Sequence, residues 1–262
     1  MADGTDRLPV EVRPGTQAVE RALAILDCFR REPQSLGITE IARAVGLNIS
    51  TAHRLVRALC HGGFMEQETE SERYRLGIAI AILGRRALEQ SGYHLAQPIL
   101  ARLAATTGES ASMGVRRSDE VLVVERAASV QPLRFDHPTG AEIHLHASAM
   151  GKVLLAFAAG SPKDIAAALH PVTRYTPHTI TSRTALAQEL TAIREQGFAT
   201  NREERYEGVC GIAAPVIAAH GAAHAAVGIQ GPSLRLTPAR LHELAPLVRA
   251  AADEIGALVL RG

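Results

Sequence analysis

Cysteine is scarce: Cys28, Cys60 and Cys210 are odd in number and widely separated. That argues against a disulfide framework and for a reducing cytoplasm. Lysine is scarcer, with Lys152 and Lys163 standing against 26 arginines. Net charge is only +1, so no overall basic field draws the chain onto nucleic acid. The first fifteen residues contain no apolar run of the signal-peptide kind. From Gly208 to Leu234 there is no Asp, Glu, Lys or Arg, which raises the question of a membrane span. Pro215, His220, Gly221 and His224 interrupt that stretch, however. Two buried strands joined at His220-Gly221 fit it better, and no membrane association is expected.

Chemistry-bearing motifs are missing as well. No GxSxG elbow occurs, and Glu203 and Glu204 are adjacent rather than spaced as an acid/base pair. Gly151-Lys152 lacks the upstream glycine of a phosphate loop, and Val153 follows the lysine. The chain is therefore read as a non-enzyme with no cofactor.

What is present starts at Ile38. In ITEIARAVGLNISTAHRLVRAL, Ala42 and Gly46 sit four apart; a small side chain lets helices cross closely, and glycine supplies the positive φ of a tight turn. Ile41, Val45, Leu47, Ala52, Leu55 and Leu59 recur at helical spacing and form a common core stripe. Ser50, Thr51, His53, Arg54 and Arg57 then face outward, and no acidic residue lies between Glu40 and Glu66. This is the pattern of a DNA-reading helix-turn-helix, with Arg43, Arg54 and Arg57 as a local basic cluster.

Each of these residues has a plainer alternative. Asn48 suits a helix N-cap better than a base contact. Ser50 and Thr51 suit a phosphate or simple solvation. Arg54 is placed for a bidentate guanine contact, with phosphate as the alternative, and Arg57 for a phosphate. After Gly63, FMEQETESERYRLG reads as a hairpin whose acidic tip carries Glu66, Glu68, Glu70 and Glu72. Arg73 beside that tip is a candidate backbone contact or a solvated strand residue.

The organisation predicted is a tail over 1–16, a winged helix-turn-helix over 17–77 and a linker helix over 78–93. An α+β domain then occupies 94–262. Its helices are expected at 95–107, 149–158, 163–169, 184–196 and 238–259. Its strands are expected at 110–117, 120–127, 132–136, 143–147, 209–217 and 223–230. The Ser118-Asp119 turn signal makes the sheet at least partly antiparallel.

Several motifs carry a resemblance in order along the chain. They are Gln17-Ala18-Val19-Glu20-Arg21-Ala22-Leu23, the helix-turn-helix, Tyr74-Arg75-Leu76-Gly77, and the run from His146 to Ala156. Gly197, Glu203-Glu204, Gly208-Val209 and Ile212 to Val216 complete it. From Gln17 to Leu260 the chain is similar to the IclR family of bacterial transcriptional regulators. The resemblance implies a winged helix, a linker helix and a GAF-like effector domain with a mainly antiparallel sheet. It also implies homodimers or homotetramers on double-stranded operator DNA, answering to a small organic effector. By the same resemblance the effector pocket is lined by Ala147, Ser148, Met150, Gly151, Asn201, Gly211, Gly228 and Gln230. Asn201, Gly211, Ile217-Ala218 and Gln230 depart from common family residues and give an uncharged pocket edge. The two glycines are expected to leave room for a carboxylate or aromatic catabolite bulkier than a two- or three-carbon acid, oriented by the amides of Asn201 and Gln230.

One rival reading is a hydrolase or transferase with an accessory DNA-binding module, which needs a nucleophile and a base that the sequence does not display. Two further rivals use other residues. His144 and His146 face one side of a strand as metal ligands do, without a third ligand in evidence. Cys210 is a redox-sensor candidate, with a buried strand thiol as the default.

Overall fold

The computed structural model describes residues 16–30, 34–170, 172–218 and 221–260, which form two compact units dividing between Ala87 and Leu88. The expected tail (Thr16 apart), the helix stop at Pro33 and His220 of the expected turn lie outside the described residues.

The first unit runs α1 (Gln17–Asp27), α2 (Ile38–Ala44), α3 (Ile49–His61), β1 (Met65–Gln67) and β2 (Tyr74–Leu76). The two strands pair antiparallel, Met65 opposite Leu76, and Leu36 adds a bridge to Tyr74. Ile25, Phe29, Ile41, Val56, Met65 and Tyr74 form the core. Val56 is fully buried although the predicted stripe omitted it, while Leu55 and Leu59 reach only the margin. With Ala52 as the inward residue of the first turn, the position four later turns inward too. Between α2 and α3, Gly46 takes φ +66 with open space where a Cβ would stand, so the turn needs glycine for its backbone conformation. A helix-turn-helix followed by a hairpin is a winged helix. Glu66 belongs to β1, paired at 3.0 Å with Arg75; the acidic tip is Glu68, Glu70 and Glu72.

The expected linker is α4 (Ile78–Ser91), and the division between the units falls inside it. None of its residues is buried, despite a sequence rich in Ile and Leu.

In the second unit a 3-10 turn (Tyr93–Ala96) enters α5 (Gln97–Thr107). Then follow β3 (Ser110–Arg117), β4 (Glu120–Ala127), β5 (Glu142–His144), α6 (Ala149–Ala156), α7 (Pro162–Ala168) and α8 (Arg183–Gln196). The chain continues through β6 (Ala199–Arg202), β7 (Val209–Ile217) and β8 (Ala223–Pro232) to α9 (Pro238–Val259). The six strands form one antiparallel sheet in the order β5-β4-β3-β8-β7-β6. Side chains alternate across it. Cys210, Ile212, Ala214 and Val216 join α5 and α9 on one face, and Ala213 joins α6, α7 and α8 on the other. The charge-free stretch is thus the β7–β8 pair, buried by helices on both faces. Among the described residues no helix is long and apolar enough to cross a membrane.

Three expectations change. Residues 132–136 are a loop, because Pro132 offers no ladder donor and Arg126–Asp136 and Arg235 Nη2–Leu133 O (2.9 Å) hold the segment off the sheet. β5 stops at His144, since Leu145 turns to meet α6. Ala199–Arg202, unassigned in the sequence, is an edge strand paired to β7.

Candidate nucleic-acid face and ligand cavity

α3 begins with a complete cap. The Asn48 side-chain oxygen accepts from the Thr51 backbone N–H at 2.8 Å and from the Ser50 hydroxyl at 2.9 Å. That is the capping role assigned to Asn48, and it also gives Ser50 an internal partner. From this start Ser50, His53, Arg54 and Arg57 run along one exposed stripe, opposite Ala52 and Val56. Thr51 is half-buried at the stripe's edge, and Arg43 is exposed on α2. Among the described residues Arg43, Arg54 and Arg57 form no ion pair within the fold. Their charges stay available to phosphates or base edges.

Arg73 is different. Its guanidinium donates to Glu40 at 2.7 Å, to the Ser35 carbonyl at 3.0 Å and to the Ser35 hydroxyl at 3.1 Å. Glu40 in turn accepts from the Gly37 backbone N–H at 2.7 Å, capping α2. That backbone hydrogen bond, aided by Arg73, holds the Glu40 carboxyl below its ordinary range. Arg73 thus braces the wing against α2, a tie of long sequence range that local reading cannot show.

The second unit encloses a cavity on the α6 face of the sheet. Register puts Ser110, Gln230, Gly211 and Asn201 in one row across β3, β8, β7 and β6, with Ser112, Gly228 and Ala213 in the next. Over these rows lie the first turn of α6 (Ser148, Ala149, Met150), Ile143, and two loops carrying Phe135, His137, Arg205 and Tyr206. About 30 Å³ is open to the centre of a water-sized body, room for a few non-hydrogen atoms.

Six expected pocket residues share this wall: Ser148, Met150, Asn201, Gly211, Gly228 and Gln230. Ala147 and Gly151 do not. Ala147 is wholly buried away from it, and Gly151 is there for packing, since a Cβ would lie 2.2 Å from the Leu145 carbonyl oxygen. The strand glycines open less room than expected. A Cβ on Gly211 would meet the Ile229 oxygen at 2.8 Å, and one on Gly228 the Ile212 oxygen at 2.7 Å. Neighbouring strands occupy that space.

The edge is also not uncharged, because Arg205 stands in it. Its guanidinium carbon lies 3.8 Å from the Tyr175 ring centroid and 5.1 Å from that of Tyr206. Burial pushes His137 down to about 4, so the imidazole is neutral near pH 7; neighbouring Asp136 opposes the shift and Arg205 adds to it. Phe135, His137, Arg205 and Tyr206 went unnoticed in the sequence because two loops far apart in the chain bring them together.

The loop after β6 is fastened by its backbone. Thr176 and Thr179 hydroxyls donate at 2.7 Å to the carbonyls of Glu203 and Glu204, and Asn201 Oδ1 accepts from the Glu204 N–H at 2.9 Å. Glu203 there has φ +60. The Glu204 side chain is buried against Lys152 of α6.

The residues of the two rival readings are engaged elsewhere. His146 Nε2 pairs with the Thr173 carbonyl at 2.9 Å, and both His144 and His146 stack on Tyr175. No group of three or more His, Cys, Asp or Glu suited to a metal occurs among the described residues. Burial pushes the Cys210 thiol up, away from thiolate reactivity.

A winged helix with a free basic stripe, in one chain with a cavity-bearing α+β unit, is the make-up of a DNA-binding transcriptional regulator. The family models for the IclR helix-turn-helix domain and the bacterial transcriptional regulator IclR C-terminal domain match residues 18–69 and 89–257. The HTH-type transcriptional regulator BhcR of Paracoccus denitrificans is 36% identical over 251 residues, covering 95% of this chain and 89% of that protein. The chain belongs to the IclR family of bacterial transcriptional regulators. The Thermotoga maritima IclR structure superimposes with TM-score 0.74 at 25% identity, covering 92% of this chain and 98% of that one. An IclR homologue of Microbacterium hydrocarbonoxydans complexed with 4-hydroxybenzoate shares the fold, at TM-score 0.81 and 24% identity, over 92% of this chain and 98% of that one.

Proposed function

We propose that this chain binds double-stranded operator DNA through α3, as a homodimer or homotetramer in the cytoplasm, and that a small organic acid in the cavity biases that binding. The observation that carries the reading is the α3 stripe, whose arginines have no carboxylate partner among the described residues in a segment free of acidic residues. Arg54 is assigned to a base edge and Arg57 to a phosphate, with Arg43, Ser50, Thr51 and His53 around them. Self-association is supported by exposed apolar side chains: Val19 and Leu23 on α1, Ile78, Ile82 and Leu83 on α4. Three local arginines are too few for tight monomeric binding at physiological salt, so paired modules supply avidity.

The effector acts by population shift: it alters operator affinity only as far as it binds the DNA-competent and incompetent arrangements differently. A relative in complex with 4-hydroxybenzoate supports an organic acid as the ligand type. The test is fluorescence anisotropy on duplexes selected from a random pool, beside light scattering. The expected result is an oligomer binding two half-sites about one helical turn, or a multiple, apart. A monomer binding a single half-site at nanomolar affinity would refute it.

A further inference from the structure

One large apolar side chain of the winged helix is explained neither by its core nor by the exposed faces of α1 and α4. Ile49 is the first residue of α3 and is 53% exposed. Leu55 and Leu59 of the same helix pack against the core built on Ile25, Ile41 and Val56, and Ile49 does not join them. Helix formation does not call for it either. Alanine forms helices better, and a β-branched residue loses side-chain freedom there.

Its place on α3 supplies the second observation. Ile49 and His53 stand four apart, on one edge of the exposed arc that carries Ser50, Arg54 and Arg57. The first residues of a recognition helix are the ones that meet base edges in the major groove. The donors of this turn are already committed, because the Ser50 hydroxyl and the Thr51 N–H both point at Asn48 Oδ1, at 2.9 and 2.8 Å. What the turn presents outward is therefore a branched hydrocarbon. Its one preferred χ1 in a helix means that little rotamer freedom is lost when it docks.

Resting on the reading of α3 as the recognition helix, we propose that Ile49 is a specificity-determining residue that selects thymine by packing on its 5-methyl group. Thymine alone of the four bases carries a methyl into the major groove, so an apolar side chain there tells it from cytosine without a hydrogen bond. Arg54 and Ile49 divide the readout: the guanidinium recognises acceptors, and the isoleucine recognises hydrocarbon. Five residues of helix rise about 7–8 Å, which places the thymine about two or three base pairs from the pair met by Arg54. Withdrawing one methyl from water is worth about fourfold in affinity.

The full chain is tested on a duplex selected from a random pool, in which each thymine of the half-sites is replaced in turn by deoxyuridine. That exchange removes the methyl and keeps the base pair. At one position per half-site it is expected to weaken the parent about fourfold for each half-site exchanged. Ile49→Ala should lose at least as much on the thymine duplex and show no further loss on the deoxyuridine duplex. Ile49→Val should keep part of the discrimination. Each variant is first matched to the parent in melting temperature and in mass by light scattering; a smaller assembly for Ile49→Ala assigns the side chain to self-association and overturns the proposal. A half-site without a fixed thymine, a parent indifferent to every exchange, or a methyl preference that persists in Ile49→Ala would overturn it too. Arg54→Ala separates this proposal from the reading beneath it. If Arg54→Ala relaxes sequence preference while Ile49 is linked to no methyl, α3 remains the recognition helix and the role of Ile49 falls. If neither variant alters sequence preference, both readings fall.

Discussion

Lys152 Nζ lies 2.6 Å from Glu204 Oε1, with both side chains almost wholly withdrawn from water. Glu189 on α8, more exposed, also accepts from the ammonium at 2.8 Å. The pair joins α6 to the loop that presents Arg205 and Tyr206 to the cavity. Burial raises the Glu204 carboxyl above its ordinary range and Lys152 draws it back; Glu204 Oε2 has no hydrogen-bond partner. Such a pair adds little net stability over apolar packing, but half of it is costly.

Lys152→Met alone is therefore expected to destabilise the protein by about 3–5 kcal/mol, because Glu204 is left buried without its main counter-charge. Lys152→Met with Glu204→Leu should recover most of that loss. Urea denaturation of the two single variants and the double variant gives the coupling energy. Additive losses would mean that the two side chains act independently.

Gly151→Ala is expected to cost several kcal/mol, well above an ordinary surface change, because the new methyl would lie 2.2 Å from the Leu145 oxygen and 2.5 Å from its Cα. Both contacts are backbone, so no side chain can swing aside. Gly46→Ala meets no atom and should lose only what the positive φ imposes, about 1 kcal/mol. Thermal melts of the two variants should rank them in that order.

Arg54→Ala should weaken specific operator binding by about 1–3 kcal/mol and relax preference at one base pair per half-site. Arg57→Ala should weaken all duplexes alike and reduce the slope of log K against log salt by about one phosphate. Competition binding at several salt concentrations separates the two, and a swapped pattern would reverse the assignments.

The pH dependence follows from His137. Its folded value of about 4 lies below the ordinary 6.5, so the unfolded chain binds the extra proton. Stability is then full above pH 6.5 and falls as pH drops through the window toward 4, by about 2 kcal/mol at pH 5. His146 is lowered too, chiefly by burial against the Thr173 carbonyl's opposing effect, and adds in the same direction. His137→Asn should flatten the profile between pH 6.5 and 5, measured as the difference in unfolding free energy from the parent.

Local signals made much of this fold legible. Residues 110–117, 120–127 and 209–217 match β3, β4 and β7: β-branched residues recur in β4 (Val121, Val123, Val124) and β7 (Val209, Ile212, Val216, Ile217), and the turn residue Ser118 (φ +53) ends β3. Ala199–Arg202 carries no such run and is a strand only because β7 offers it an edge. The helix-turn-helix was readable because its spacing is short-range. Half of the cavity was not. Nothing near Arg205 in sequence separates it from 25 other arginines; Tyr175, thirty residues earlier, places it. Phe135 looked like a strand residue until the Arg126–Asp136 pair is seen to bend its segment inward.

The two lysines differ sharply in access: Lys163 is exposed at the start of α7, while Lys152 is 1% exposed. An amine-selective reagent will therefore modify Lys163 at once and reach Lys152 only during a local opening that parts α6 from the Arg205 loop. The rate of that slow second modification is a clock for the breathing of the cavity wall, readable by mass spectrometry without any introduced probe. A ligand seated against Arg205 should slow it.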